Sequence, residues 1–125
     1  MLFDTDVIIW ALRGHPKAAT ELNRHEVLCL SVVSYMELLK GARDKRELLA
    51  IRKFLQETGF QFLPVTEPVS HRAMIYMEAH VLKSGLDVAD ALVAATAAEH
   101  SLTLCTANNK HYGCIADLPL SVFRP

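Results

Sequence analysis

Apolar and polar positions alternate along the chain in blocks that predict strands and helices in turn. Short apolar runs rich in strand formers predict five strands, at residues 2–3, 27–30, 60–63, 102–105 and 120–123. Apolar residues at helical spacing predict six helices, at residues 7–12, 16–23, 34–42, 45–57, 67–83 and 87–101. Because the strands alternate with helices, we expect one three-layer α/β domain over residues 1–125, with a central parallel sheet flanked by helices.

Composition agrees with a single globular domain. The chain has 125 residues, of which 51% are hydrophobic and 22% charged, which is typical of a folded protein. The three cysteines show no C-x-x-C spacing, and Cys29 and Cys105 lie in apolar runs, which favours buried thiols over disulfides or a zinc site. No apolar run approaches the roughly 20 residues of a membrane span, and no signal-like segment opens the chain, so we expect a cytoplasmic protein.

Two acids follow the first strand directly. Asp4 ends the apolar run and Asp6 begins the next helix, so both lie at the edge of the sheet where open α/β folds bind ligands. Two carboxylates there would offer oxygen ligands to a hard cation such as Mg²⁺. A structural interpretation also fits, with Asp6 as the helix cap and Asp4 as a turn acid. This stretch alone leaves both interpretations open.

Further acids lie in apolar surroundings. Ser34 and Glu37 have the Ser-x-x-Glu spacing of a capping box, which predicts Glu37 in the first turn of a helix that starts where strand two ends. Asp90 lies in a helix so poor in polar residues that most of its circumference must be buried. A lone carboxylate there is costly unless it is paired, hydrogen-bonded or bound to a metal. Asp87 has a simpler role as the N-cap of the same helix.

Polar residues also follow strand four. Thr106 and Asn108 are of types common in turns, but strands one and four are predicted neighbours, which would bring Asn108 opposite Asp4. Lys110 and His111 are placed next to them to contact a phosphate. A net charge of −1 gives no support for large-scale attraction to nucleic acid, although a local patch would suffice. The basic residues between 40 and 53 are expected to form a solvated helix surface.

These motifs, in their order and spacing, resemble those of PIN-domain proteins, and specifically the VapC-type toxin ribonucleases of toxin–antitoxin pairs. The similarity covers essentially the whole chain. The matching segments are Asp4-Thr-Asp6, Ser34-Tyr-Met-Glu37-Leu with Gly41, Asp90-Ala-Leu-Val-Ala-Ala-Thr-Ala, and Thr106-Ala-Asn108-Asn-Lys-His111-Tyr112.

The resemblance implies a metal-dependent endoribonuclease that is inhibited by a small antitoxin protein encoded beside it. It implies that Asp4, Glu37 and Asp90 are the catalytic and metal-binding residues. The secondary candidates are Asp6, Asp87, Thr106 and Asn108, and the weaker RNA-contact candidates are Lys110 and His111. The implied cofactor is Mg²⁺ or Mn²⁺, and the implied partners are RNA, the antitoxin and a second copy in a homodimer. In the family an antitoxin segment lies across the early helices, here residues 7–12 and 38–49.

The acids suit this chemistry, because a carboxylate-held Mg²⁺ or Mn²⁺ can neutralise charge on a phosphodiester and activate a water molecule. Binding of the cation should be weak and assisted by substrate, since Mg²⁺ keeps several waters.

Two alternative functions also fit the sequence. One is a haloacid-dehalogenase-type phosphatase that uses Asp4 as its nucleophile with Ser31 and Lys83, and the other is a PIN-like binding module without catalytic activity.

Overall fold

Five short strands and seven helices make up the computed structural model, which describes all 125 residues. The strands are β1 (Leu2–Phe3), β2 (Cys29–Ser31), β3 (Gln61–Leu63), β4 (Leu104–Thr106) and β5 (Leu120–Val122). The helices are α1 (Thr5–Leu12), α2 (Pro16–Asn23), α3 (Val32–Lys40), α4 (Lys45–Thr58), α5 (Glu67–Ser84), α6 (Val88–Glu99) and α7 (Asn109–Tyr112). The predicted strands and the six predicted helices are all present, and α7 was not predicted.

The strands form one parallel sheet in the order β3-β2-β1-β4-β5. The chain proceeds from β1 towards one edge of the sheet through β2 and β3, and then crosses to the other edge through β4 and β5. The gap between β1 and β4 is therefore the switch point at which open α/β sheets bind ligands. The backbone N–H of Asp4 donates to the carbonyl of Cys105 at 2.9 Å, so Asp4 lies at this switch point.

Two hydrophobic clusters lie on opposite faces of the sheet. Side chains alternate along a strand, so Leu2 joins one cluster and the adjacent Phe3 joins the other. Residues of α5, α6 and α7 pack in the cluster of Leu2, whereas residues of α1 to α4 pack in the cluster of Phe3. These layers confirm the predicted three-layer α/β fold.

Several helix starts differ from the prediction. Asp4, and not Asp6, is the N-cap of α1, and its side chain accepts from the N–H of Thr5. Ser31 caps α3 by accepting from the N–H of Val33, so the predicted capping box is wrong and Glu37 lies in the second turn. Asp87 occupies the N-cap position of α6, as predicted, but its side chain makes no capping hydrogen bond.

All three cysteines are free, and Cys29 and Cys105 are buried, as the apolar runs predicted. None of the seven helices combines the length and the apolar character that a transmembrane span requires.

Candidate active site

Asp4 is a buried acid whose carboxylate accepts three hydrogen bonds. It is only 7% exposed and lies where β1 passes into α1. Its Oδ1 accepts from the N–H of Thr5 at 2.9 Å, and its Oδ2 accepts from Thr106 Oγ1 at 2.8 Å and from the Tyr112 hydroxyl at 3.0 Å. Donors to a carboxylate stabilise its charged form and fix its orientation. Asp4 therefore presents a carboxylate of fixed orientation at the switch point.

Asp90 is joined to Asp4 through one hydroxyl group. The Tyr112 oxygen lies 3.2 Å from Asp90 Oδ1, while His111 Nδ1 lies 3.2 Å from Asp90 Oδ2. Burial and the charge of Asp4 raise the pKa of Asp90, whereas His111 and the hydrogen bond from Tyr112 lower it. Burial and the two acids also raise the pKa of Tyr112, so its hydroxyl keeps its proton and remains a donor.

Asp6 follows in the first turn of α1, and only one of its two carboxylate oxygens has hydrogen-bond partners. Its Oδ2 accepts from Asn108 Nδ2 at 2.9 Å and from the N–H of Ala107 at 3.1 Å. Its Oδ1 is buried and has no hydrogen-bond partner. Burial, followed by the charge of Asp4, raises the pKa of Asp6 to about 6.

Glu37 completes the group from α3 and is the most accessible member. Thr5 Oγ1 donates to Glu37 Oε1 at 2.9 Å. Partial burial raises the pKa of Glu37, the hydrogen bond from Thr5 lowers it, and the charges of Asp4, Asp90 and Asp87 raise it again. Glu37 thus interacts electrically with Asp4 and Asp90, as a shared site would require.

The structure brings most of the predicted site residues together. Asp4, Asp6, Asp90, Thr106, Asn108 and His111 each contact another predicted site residue. Glu37 is linked to them through Thr5, the residue after Asp4, whose hydroxyl donates to its carboxylate. Asp87 is exposed and acts on the group through its charge. Lys110 is exposed and makes no ion pair with the acids. The prediction that Asn108 faces Asp4 is wrong, because its side chain bonds to Asp6.

Thr5 and Tyr112 were not predicted as site residues, although both stand inside the quoted motifs. Thr5 lies between the two acids of the first strand end, and its hydroxyl reaches Glu37. Tyr112 is fully buried, and a buried tyrosine normally finds a partner for its hydroxyl. The need of a buried tyrosine hydroxyl for a hydrogen-bond partner was the signal by which Tyr112 could have been identified.

The donor set suits a hard divalent cation, because it consists of carboxylate oxygens and includes the unpartnered Asp6 Oδ1. No three acidic, histidine or cysteine side chains lie close enough together to form a preassembled metal site. Asp4, Asp90 and Glu37 are the carboxylates that would hold such a cation, and Asp4 and Asp90 already share the Tyr112 hydroxyl as a neighbour.

The fold and the acids define a class of α/β proteins with carboxylates grouped at the switch point of a parallel sheet. Residues 1–113 match the family model of the PIN domain. The chain belongs to the PIN-domain family.

Similar proteins agree with this assignment. Ribonuclease VapC19 of Mycobacterium tuberculosis is 34% identical over 125 residues, which cover 94% of this chain and 95% of that protein. Ribonuclease VapC10 of the same organism is 33% identical over 118 residues, which cover 90% of this chain and 85% of that protein.

Solved structures with the same fold include toxin–antitoxin assemblies. A toxin–antitoxin complex from Klebsiella pneumoniae aligns with a TM-score of 0.78 and 26% identity, over 94% of this chain and 93% of that chain. The DNA-bound VapBC of Salmonella typhimurium aligns with a TM-score of 0.83 and 19% identity, over 97% of this chain and 96% of that chain, and this likeness concerns the fold alone.

The geometry does not support the phosphatase alternative. Asp90 lies inside helix α6 and not at a strand end, where that mechanism needs its acid. Ser31 is fully buried and its hydroxyl oxygen caps α3, so it is not directed at a substrate.

Asn108→Asp should destabilise the metal-free protein at neutral pH by about 1 kcal/mol, because it replaces a donor to Asp6 with a like charge. Folding raises the pKa of Asp6 to about 6. Protonation of Asp6 therefore stabilises the folded state. This contribution is full below the ordinary pKa of an aspartate and is lost as the pH rises through about 6.

At pH 5 a protonated Asp6 can donate to the new carboxylate, so the cost of Asn108→Asp should be small there and should grow towards pH 7.5. Thermal melts in chelator at both pH values measure this difference. Asn109→Asp, at an exposed neighbour that does not contact Asp6, is the control. Equal melting temperatures of the Asn108 variant and wild type at pH 7.5 would show that Asn108 is only a turn residue.

Proposed function

We propose that the protein is a divalent-metal-dependent endoribonuclease, the toxin of a toxin–antitoxin pair. The observation that carries this proposal is the oriented carboxylate of Asp4 at the switch point, with Asp90 joined to it through the Tyr112 hydroxyl and Glu37 bonded to the adjacent Thr5. Relatives about one third identical over nearly the whole chain are named ribonucleases, which supports RNA as the substrate. We further propose that the enzyme acts in the cytoplasm, where RNA is available.

Asp4, Asp90 and Glu37 would hold Mg²⁺ or Mn²⁺. When bound, such an ion neutralises charge on the scissile phosphate and lowers the pKa of an attacking water. The chain itself orients these acids: Thr106 and Tyr112 fix Asp4, and Thr5 turns Glu37 towards the group. Lys110 and His111, exposed on α7 beside Asp90, are the proposed contacts to RNA phosphates.

The test is cleavage of a pool of labelled single-stranded RNA in Mn²⁺ or Mg²⁺, compared with the same protein in chelator. Hydrolysis that requires the cation and leaves no covalent phosphate on Asp4 is the expected result. An aspartyl-phosphate detected by mass spectrometry would instead support the phosphatase. Cation binding without any RNA cleavage would support a binding module without catalytic activity.

An apolar cleft of about 410 Å³ offers a site for the antitoxin. It lies between α1, α3 and α4, the region expected from the sequence. Its charged lining comes from Glu37, Glu47 and Arg13, and its apolar lining comes from Ile9, Leu12, Leu38, Ala42, Ala50 and Ile51. We propose that an antitoxin segment places apolar side chains in this cleft and a basic side chain against Glu37. The Klebsiella pneumoniae structure, a toxin–antitoxin complex of the same fold, supports such a partner.

We also propose a two-fold homodimer through the face formed by α5 and α6. A groove of about 430 Å³ lies there between Met74, Met77, Val88 and Leu92. Met74 is 58% exposed and Val88 is 60% exposed, and apolar side chains of this size favour coverage by another molecule.

Met74→Glu should shift sedimentation from dimer to monomer at micromolar concentration. A wild type that sediments as a monomer throughout would contradict the dimer.

A further inference from the structure

We propose that Tyr112 is a positioning residue of this site, whose buried hydroxyl sets the separation and orientation of Asp4 and Asp90 before a cation binds. The inference rests on the proposed function, because it concerns the carboxylates that would hold the metal. Tyr112 itself is not expected to bind the ion or the RNA, since its side chain is fully buried. It would act only through the two acids.

The Tyr112 hydroxyl is the one group that contacts both acids. Its oxygen lies 3.0 Å from Asp4 Oδ2 and 3.2 Å from Asp90 Oδ1. The other donors to Asp4 are Thr5 and Thr106, and neither of them touches Asp90. The other neighbour of Asp90 is His111, whose side chain is 58% exposed and therefore constrains the acid less.

The hydrophobic core fixes the position of this hydroxyl. The ring of Tyr112 belongs to the same buried cluster as Ala91, Val93 and Ala94 of α6, the helix that carries Asp90. Leu2 of β1, two residues before Asp4, belongs to that cluster as well. Because the ring is packed in the core, the hydroxyl has a fixed position between two carboxylates. One carboxylate lies at the end of β1 and the other lies in the first turn of α6.

A hydroxyl bridge of this kind has a measurable consequence for metal binding. Two carboxylates close together repel each other, and the Tyr112 hydroxyl, which shares its one proton between them, offsets part of that repulsion in this geometry. Hydrogen bonds from neighbouring residues hold metal-binding side chains in place, and their loss typically costs about 10-fold to 100-fold in metal affinity. Phenylalanine retains the buried ring and removes only the hydroxyl, so it isolates this effect.

Tyr112→Phe should weaken Mn²⁺ binding, measured by calorimetry without RNA, by about 10-fold or more. The matched control is Tyr76→Phe, since Tyr76 is also a buried tyrosine but lies on α5 away from the acids. That variant should bind Mn²⁺ as wild type does. In an Asp90→Ala background, Tyr112→Phe should change Mn²⁺ affinity little, because the bridge has already lost one end.

A second readout separates positioning from general damage. In RNA cleavage, Tyr112→Phe should require a higher Mn²⁺ concentration for half-maximal rate and should recover most of the wild-type rate at saturating Mn²⁺. Unchanged or tighter Mn²⁺ binding would overturn the inference, because the hydroxyl would then be neutral or a competitor. Loss of cooperative melting in this variant would also overturn it, since the hydroxyl would then serve stability.

These outcomes are distinct from failure of the proposed function. A wild-type protein that binds Mn²⁺ and cleaves no RNA would overturn the ribonuclease, while the calorimetric comparison would still support Tyr112 as a positioning residue. A wild-type protein that binds no Mn²⁺ would overturn both. Equal Mn²⁺ affinities of wild type and Tyr112→Phe in an active ribonuclease would overturn the inference alone.

Discussion

Asp4→Asn and Asp90→Asn should each lower the rate of RNA cleavage by at least about 10²-fold, while the protein stays folded. Each change removes the charge of a carboxylate that would hold the cation, and each retains an oxygen that can accept from Tyr112. Asp90→Asn should leave the metal-free protein as stable as wild type or more stable, because it removes a charge that burial and Asp4 disfavour.

Initial rates at saturating Mn²⁺ measure this effect, and thermal melts confirm that the variants fold. Asp117→Asn is the control, because Asp117 is an exposed acid with no contact to the group. Its rate should equal that of wild type. Cleavage at near-wild-type rates by either site variant would remove that acid from the mechanism.

Ala50→Arg should weaken binding of the small protein encoded beside this one by about 10²-fold or more. Ala50 lines the cleft between α1, α3 and α4, so the long charged side chain would fill space that the partner needs. It would also place a positive charge beside the basic side chain that we expect near Glu37, which adds like-charge repulsion at the interface.

Calorimetry with the purified partner measures this loss of affinity. Ala79→Arg introduces the same side chain at an exposed alanine of α5, away from the cleft, and should bind the partner as wild type does. Equal affinities for the Ala50 variant and wild type would move the partner to another surface. The face formed by α5 and α6 would then be the next surface to test.

The sequence predicted the layers of the fold because apolar periodicity determines which elements form. Every predicted strand has its counterpart in the sheet. The switch point also followed from the sequence, since it requires only that strands one and four be neighbours. The main acids could be identified because a charge in apolar surroundings is costly without a partner.

Details that depend on a single residue of register could not be predicted. Ser31 and Ser34 both stand where a cap would fit, and β2 extends through Ser31, which makes the earlier serine the cap. Asp4 and Asp6 are two residues apart, and the backbone after β4 decides which of them Asn108 reaches. Helix α7 has only four residues, too few for periodicity to reveal.

Glu37 is shared by the two proposed sites. It interacts through its charge with Asp4 and Asp90, and it also lines the cleft proposed for the antitoxin. If the antitoxin pairs a basic side chain with Glu37 as proposed, that contact would take one carboxylate away from the cation. By thermodynamic linkage, the bound cation would then lower the affinity of the antitoxin by the same factor as the antitoxin lowers the affinity of the cation. Inhibitor and metal would therefore compete for a single side chain, and the free concentration of divalent cation would help to set how readily the toxin is released.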